Sequence, residues 1–371
     1  MAEPAGRQDQ IQVKPPRIFI AAAMERVCPE CDPGPRPNDP LLPKARKRET
    51  ILSQETNMWT WIGRDAMLPR RDFLNSTLCA GAGLALAALD RPAWGQGQPA
   101  RRRTIVDAQV HLWKAESEDW KWVPGSTPQM PEPFTIERAV PLMDEAGVER
   151  VVVVPPGSWV GERNDYGFEA VKRYPGRFAI MGKIPLKDPK SAALLPKWRE
   201  QPGMLGIRLG GADPWPDWLF PGAEKAGIPI MLQAPEKLTE LARAAERHPQ
   251  LTLILDHLGL TVEMARKKTL GAAIEQVAAL AKYPNLSVKI KAGPQYSLEP
   301  YPWRDMHPHL RRVFDAFGPQ RCFWETDMTN SFNKATYRQR VTCFTEELPF
   351  LSEEDKDWIM GRAILTRLGW T

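Results

Sequence analysis

The chain lacks three features that would assign it at once to a large class of proteins. Its 371 residues contain no run of 18 or more apolar residues, so we predict no bilayer-spanning helix in the mature protein. Five cysteines are too few for a disulfide framework at this length. An excess of charge of one sign is also absent, because 50 basic residues are nearly balanced by 45 acidic ones. No dense basic tract indicates a nucleic-acid partner. Hydrophobic residues make up 43%, enough for a sizeable core.

The N-terminal residues 1–66 are rich in proline and have no sustained apolar period. We therefore predict a disordered extension, or a non-native segment that precedes the true start. Cys28 and Cys31 form a lone C-x-x-C motif here. A zinc or redox site would need a second pair or a βαβ context, so we interpret them as two free thiols.

Residues 67–97 have the layout of an export signal. Arg70 and Arg71 precede a weakly apolar run from Leu78 to Leu89, and small residues follow it. The paired arginines resemble a twin-arginine signal, and the alternative is a chance pair before a buried helix. We expect a periplasmic or otherwise exported protein that has no membrane attachment after the signal is removed.

Residues 104–371 alternate short strand-like segments with helical patterns. Several strands are nearly all apolar, which is typical of strands covered on both faces. Eight strand–helix units in about 250 residues predict an α/β fold, the (β/α)8 TIM barrel. The alternative is a doubly wound open sheet, but no glycine-rich dinucleotide loop follows the first strand. The candidate strands are Thr104–His111, Arg150–Val154, Phe178–Lys183, Leu205–Leu209, Pro229–Gln233, Leu251–His257, Leu286–Lys291 and Cys322–Asp327.

Apolar residues at helical spacing fill the segments between these strands. The clearest patterns begin at Ile136, Leu238, Ile274 and Leu310. The tail, Ser352–Leu368, is predicted to form an additional helix that closes the barrel.

Polar side chains end six of the eight strands, although packing gives a core strand no reason to end that way. A TIM barrel places its active site at this rim. In the first strand, the period of two puts Asp107, Gln109 and His111 on one inward face. The later strand ends supply Arg208, Gln233, His257, Lys289, Lys291, Glu325 and Asp327.

Four motifs, in their order along the chain, resemble the amidohydrolase-related superfamily, and within it the lactonase-like branch of TIM-barrel hydrolases. The resemblance covers residues 104–371 and implies a barrel hydrolase that holds a divalent metal such as zinc. The motifs are Asp107-x-x-x-His111, Asp256-His257-x-Gly259, Val288-Lys289 and Trp324-x-Thr326-Asp327.

Two positions depart from the family's metal-binding pattern. Gln109 replaces the first histidine of the family's His-x-His motif, and Gln233 stands where many members have a ligand histidine. A catalytic zinc requires three protein ligands and a water, whereas a neutral amide is a poor ligand. His111 and Asp327 supply two ligands and His257 a potential third. The ligand set looks incomplete, so no cofactor is certain, and a single metal held by His111 and Asp327 stays open.

The rim positions also predict catalytic roles. Asp327 is the expected general base that takes a proton from the attacking water. His111 and His257 would orient or polarise the substrate, or shuttle protons. Arg208 and Lys289 would hold an anionic group or stabilise an oxyanion, and the alternative for both is a buried salt bridge. Gln109, Gln233 and Trp113 complete the predicted substrate-binding set.

These roles predict a hydrolase that acts on a small carboxylated substrate, foremost a lactone or another ester-like C–O bond. One alternative is a decarboxylase of the same superfamily, which would need a firmly held divalent metal. Another is a non-catalytic exported barrel that binds a solute, with Gln109 and Gln233 as signs of a decayed site. The expected partner is a small anionic molecule, and homo-oligomer formation stays open.

Overall fold

Eight parallel strands pair in sequence order from first to last in the computed structural model. The structure describes residues 102–291 and 293–371, so the predictions for residues 1–66 and 67–97 lie outside the described residues. Each predicted strand is present, and most are shorter than predicted. The strands are β1 (Val106–Val110), β2 (Arg150–Val153), β3 (Phe178–Gly182), β4 (Met204–Leu209), β5 (Ile230–Leu232), β6 (Leu253–Leu255), β7 (Leu286–Ile290) and β8 (Cys322–Trp324).

The seam between β1 and β8 is joined at its carboxyl end. The Asp327 backbone N–H donates to the Gln109 carbonyl at 3.1 Å, and the Thr326 N–H donates to the Asp107 carboxylate at 2.9 Å. These bonds bring the last strand end against the first. The TIM barrel predicted from the strand count is confirmed.

Helices follow the strands, and those predicted at Ile136, Leu238, Ile274 and Leu310 are confirmed. In the part of the chain that the structure describes, no helix has the length and apolar character needed to cross a bilayer. Between β3 and β4 the connection is a 3₁₀ helix, Pro189–Glu200. The α-helices of this part are α1 (Ile136–Ala146), α2 (Gly157–Val160), α3 (Asp165–Arg173), α4 (Leu219–Lys225), α5 (Leu238–Arg247), α6 (Val262–Arg266), α7 (Leu270–Ala278), α8 (His307–Phe317), α9 (Tyr337–Thr345), α10 (Glu353–Asp357) and α11 (Ala363–Leu368).

The core has two layers, one inside the barrel and one between the strands and the helices. Inward side chains such as Met181, Met231 and Phe323 form the inner layer, and α11 joins it through Ala363 and Leu368. The tail therefore covers one mouth of the barrel, as predicted. Because packed side chains fill the interior, the free space for a ligand lies at the opposite rim, where the strands end.

The first strand departs from the regular alternation that its sequence predicts. Val106 and Ala108 face the inner layer, whereas Val110 faces the outer one, and the pairing register with β2 shifts between Asp107 and Val110. A bulge re-aims the residues that follow it. The expectation that Asp107 shares a face with Gln109 is therefore wrong, because one extra residue breaks the period of two.

Candidate active site

Asp327 lies at the centre of the rim, three residues after the end of β8, with 1% of its surface exposed. Its backbone is left-handed, with φ 43° and ψ 43°, an uncommon conformation for any residue except glycine. One carboxylate oxygen is 3.2 Å from His111 Nε2. The other accepts hydrogen bonds from Lys291 Nζ at 3.0 Å and from Asn330 Nδ2 at 2.6 Å, and lies 3.7 Å from His257 Nε2. The structure thus gathers residues from three strand ends around one carboxylate.

The charges around Asp327 keep it ionised. Burial by itself raises its pKa, but Lys291 and the two imidazoles outweigh burial and hold the pKa well below 3.8. Burial likewise lowers the pKa of Lys291, and Asp327 more than reverses this, so the pKa of the ammonium is raised. The two side chains therefore form a buried ion pair at the floor of the site.

In His111 and His257, the ring nitrogen that faces away from Asp327 is within hydrogen-bond distance of a protein oxygen. His111 Nδ1 is 2.7 Å from the Val154 carbonyl, which can only accept, so this nitrogen donates. His257 Nδ1 is 2.5 Å from a Glu325 carboxylate oxygen, which also accepts a hydrogen bond from the His257 backbone N–H. Burial lowers the pKa of His257. In both rings Nε2 faces Asp327, at 3.2 Å for His111 and 3.7 Å for His257.

Gln109 lies between the two imidazoles. Its Oε1 accepts a hydrogen bond from Lys289 Nζ, so its amide nitrogen must face the other way. This nitrogen is 3.3 Å from His111 Nε2, 3.4 Å from His257 Nε2 and 3.4 Å from Asp327 Oδ1. Gln109 is fully buried, so it contacts the catalytic candidates rather than open solvent.

Lys289 lies behind the site and not in its cavity. Its ammonium group is fully buried, 2.9 Å from Asp256 and 2.8 Å from Glu325. Burial raises the pKa of Glu325, but His257 and Lys289 outweigh it and hold the pKa below 4.5. Of the two interpretations of Lys289, the structure matches the buried salt bridge. Lys291, two residues later, is the lysine that lines the cavity.

The cavity above Asp327 has a volume of about 240 Å³. His111, His257 and Lys291 line it together with Arg208 and Gln233. Most predicted site residues therefore converge on one cavity, as expected for a TIM barrel whose active site lies where the strands end.

Arg208 lies at the cavity wall, and only some of its N–H groups donate to other side chains of the protein. Its Nε donates to Asp256 at 3.0 Å, and its Nη2 donates to Gln233 Oε1 at 3.4 Å. The guanidinium group has five N–H donors, so others remain available to a ligand. Arg208 thus forms the predicted salt bridge and still faces the cavity.

A second cavity of about 350 Å³ adjoins the first and shares Arg208 and Gln233 with it. Lys183 lies in its wall, 3.3 Å from Asp213. Burial and the nearby Arg208 lower the pKa of Lys183. Gly157 makes room for this lysine, because a Cβ there would lie 2.9 Å from Lys183 Cε. We did not single out Lys183 from the sequence, although it ends a predicted strand and carries the same polar-end signal.

Trp113 is fully buried and does not line the cavity. It packs against Trp159 with ring centroids 5.3 Å apart, and Trp159 provides the cavity wall. Asn330 is a further contact of Asp327 that sequence reasoning missed. It follows β8 in a 3₁₀ turn, where no strand period marks its direction.

A family model, Amidohydro_2, described as amidohydrolase, matches residues 106–364. The chain belongs to the amidohydrolase family. This membership confirms the prediction of a hydrolase on a TIM barrel, and the matched range contains every predicted site residue.

Several known proteins are similar to this amidohydrolase. An L-fucono-1,5-lactonase from Burkholderia ambifaria is 27% identical over 238 residues, which cover 60% of this chain and 79% of the relative. A zinc-bound amidohydrolase from Burkholderia multivorans is 19% identical with a TM-score of 0.60, covering 72% of this chain and 99% of that one. A probable 2-pyrone-4,6-dicarboxylic acid hydrolase from Acinetobacter baumannii, with citric acid bound, is 17% identical with a TM-score of 0.59 over the same shares.

The family implies a metal, and the residues of this amidohydrolase can be tested against it. Two imidazole nitrogens and the Asp327 carboxylate approach one another, but the Gln109 amide nitrogen is within hydrogen-bond distance of all three. In residues 102–291 and 293–371, no group of three or more His, Cys, Asp or Glu side chains is arranged to hold a metal ion. The donor set does not fit a resident metal, and the chemistry below uses the side chains alone.

Proposed function

We propose that this amidohydrolase opens a lactone ring, or cleaves a similar ester-like C–O bond, in a small carboxylated substrate. The observation that carries the proposal is the position of Asp327. Its ionised carboxylate lies in a cavity of about 240 Å³, beside two imidazoles and a cation. A carboxylate placed this way can accept a proton from a water molecule next to a bound carbonyl group.

The chemistry needs one water and returns every side chain to its starting form. Asp327 takes a proton from the water as the oxygen of the water bonds to the carbonyl carbon. The tetrahedral intermediate then collapses, and the bond from the carbonyl carbon to the ring oxygen breaks. Protonated Asp327 returns its proton to the departing ring oxygen, which becomes the product hydroxyl. Because the pKa of Asp327 is low, it is a weak base, and the step suits an activated carbonyl better than an amide.

Lys291 is placed to stabilise the oxyanion. Its ammonium group donates to Asp327 at 3.0 Å and to Gln295 at 2.5 Å, and it lines the cavity beside Tyr296. A bound oxyanion at this wall can accept a hydrogen bond from the same ammonium group. A fixed cation at a site with little water stabilises developing negative charge without reorganisation.

Arg208 and Lys183 are the cations placed to hold the carboxylate of the substrate. Arg208 belongs to both cavities, and Lys183 belongs to the second. A substrate would then place its reacting carbonyl near Asp327 and its carboxylate towards Lys183. The similarity to an L-fucono-1,5-lactonase supports lactone chemistry, and the substrate class is our inference from the cations.

The test compares wild type with Asp327→Asn on a panel of sugar-acid lactones and carboxylated lactones. We expect kcat to fall by about 10²- to 10⁴-fold when the base is removed. Asp217→Asn makes the same chemical change at an exposed position and should leave turnover unchanged.

Three other results would contradict the proposal. Unchanged turnover in Asp327→Asn would remove the assigned base. Thermal stabilisation by lactones without any turnover would support a solute-binding barrel instead. Metal-dependent release of CO₂ from aromatic carboxylic acids, with no lactone turnover, would support a decarboxylase.

A further inference from the structure

The centre of the site contains an amide group where a metal-dependent relative would need a cation. His111 Nε2 and His257 Nε2 face inward because Val154 and Glu325 contact the opposite ring nitrogens. Both atoms point towards the Asp327 carboxylate, so three polar groups meet in one small buried region. Buried polar groups without hydrogen-bond partners cost free energy, because they lose their hydration.

Gln109 places its amide nitrogen among these three groups. Its amide nitrogen carries two hydrogens and lies 3.3 Å from His111 Nε2 and 3.4 Å from both His257 Nε2 and Asp327 Oδ1. Zinc would bind the same ring nitrogens at about 2.0–2.1 Å. A ring nitrogen has a single lone pair, so it can serve an amide hydrogen or a metal, but not both at once.

Lys289 fixes the direction of this amide. Its ammonium group donates to Gln109 Oε1, and a flipped amide would point N–H groups at the cation. The same ammonium group lies 2.8 Å from Glu325, the carboxylate that orients His257. One buried cation therefore sets both the amide and one of the imidazoles that the amide contacts.

We propose that the Gln109 amide, oriented by Lys289, permanently replaces the metal of this site by occupying the space between both imidazoles and Asp327. Gln109 is thus a positioning residue, which holds the two rings next to Asp327 without touching the substrate. Its amide nitrogen lies within hydrogen-bond distance of the two ring nitrogens and the carboxylate oxygen that a zinc ion would use. Wild-type protein should therefore not retain zinc at this position, whatever substrate the cavity accepts.

Zinc content tests the proposal independently of activity. Full-length wild type, Gln109→His and Gln233→His are stripped with a chelator, incubated with ZnCl₂, desalted and analysed by ICP-MS. We expect Gln109→His to retain about one zinc per chain, because a third imidazole replaces the amide. Wild type should retain little. Gln233→His, the matched control, adds an imidazole to the same cavity but leaves Gln109 in place, so it should behave as wild type.

Two outcomes would overturn the proposal. One is wild type that retains about one zinc, which is then lost on adding Asp327→Ala. The other is Gln109→His that is folded by circular dichroism and gains no zinc.

If Gln109→His does not fold, wild type still provides the test. In ¹⁵N-histidine NMR spectra, the Nε2 signals of the two buried rings should not shift when ZnCl₂ is added. A zinc-dependent shift of those signals would overturn the proposal.

Discussion

At the scale of single residues, the site depends on an ion pair between two strand ends. Lys291 Nζ lies 3.0 Å from Asp327, and both side chains are almost fully buried. Attraction between charges is screened less in such surroundings than at a surface. Each residue therefore holds the other in its charged form, and Asp327 stays ready to accept a proton at neutral pH.

Lys291→Met should shift the pH dependence of turnover. Removing the cation raises the pKa of Asp327, because Lys291 is the strongest of the groups that lower it. Activity needs the ionised carboxylate, so the acidic limb of kcat/KM against pH should move to higher pH. Loss of the oxyanion donor should also lower kcat/KM on its plateau by about 10²-fold.

The matched control for Lys291→Met is Lys172→Met, which removes an exposed lysine on α3. It should reproduce the wild-type profile when kcat/KM for a turned-over lactone is measured across the acidic range. An acidic limb in Lys291→Met that coincides with wild type would show that the ion pair does not control Asp327.

Lys289 in β7 and Lys291 just after it illustrate what residue patterns can predict. The period of two correctly places Lys289 and Lys291 on one inward face. Their roles differ because Lys289 lies one layer deeper, between Asp256 and Glu325. Depth in a barrel depends on the stagger of neighbouring strands, which is a non-local property. The sequence therefore predicted the correct face for both lysines and assigned substrate binding to the buried one.

At the scale of elements, Asp107 joins β1, β8 and α9. It accepts hydrogen bonds from the Thr326 backbone at 2.9 Å, the Thr326 hydroxyl at 2.5 Å and the Tyr337 hydroxyl at 2.7 Å. Burial raises the pKa of Asp107 to about 6 despite these bonds. This folded pKa exceeds the ordinary 3.8, so the associated stability is complete below pH 3.8 and is lost as pH rises through about 6.

Tyr337→Phe should destabilise the fold more at high pH than at low pH. Above about pH 6 the tyrosine donates to an ionised carboxylate, and such bonds contribute about 1.5–3 kcal/mol, compared with about 1 kcal/mol for neutral pairs. Urea unfolding at pH 5 and pH 8 measures the difference. Tyr174→Phe removes the hydroxyl of a half-buried tyrosine and is the control. Equal losses at both pH values would contradict the charged bond.

At the scale of the whole molecule, the strand ring and its core lie within residues 102–371. The first strand begins at Val106, and α11 ends the tail by packing under the barrel at Leu368. Arg103 also joins the tail, with ion pairs of 2.8 Å to Glu353 and Asp357. The elements that form the cavity therefore belong to one packed unit.

A shortened chain of residues 102–371 should fold on its own. We expect cooperative thermal unfolding within roughly 3 °C of the full-length Tm, because the shortened chain keeps all eight strands. Differential scanning calorimetry measures both chains, and turnover of the same lactones checks the cavity. Aggregation of the shortened chain, or a much lower Tm, would show that the preceding residues contribute to the fold.

The sequence by itself determined the eight strands, their order and the polar residues at their ends. These features are local, because apolar runs and residue spacing are set by neighbours along the chain. Only the tertiary structure decided that Asp107 turns away at a bulge, that Trp159 rather than Trp113 forms the wall, and that Gln109 lies between His111 and His257. These arrangements join residues as distant as Gln109 and His257, 148 positions apart, and they depend on register and packing depth that no local pattern encodes.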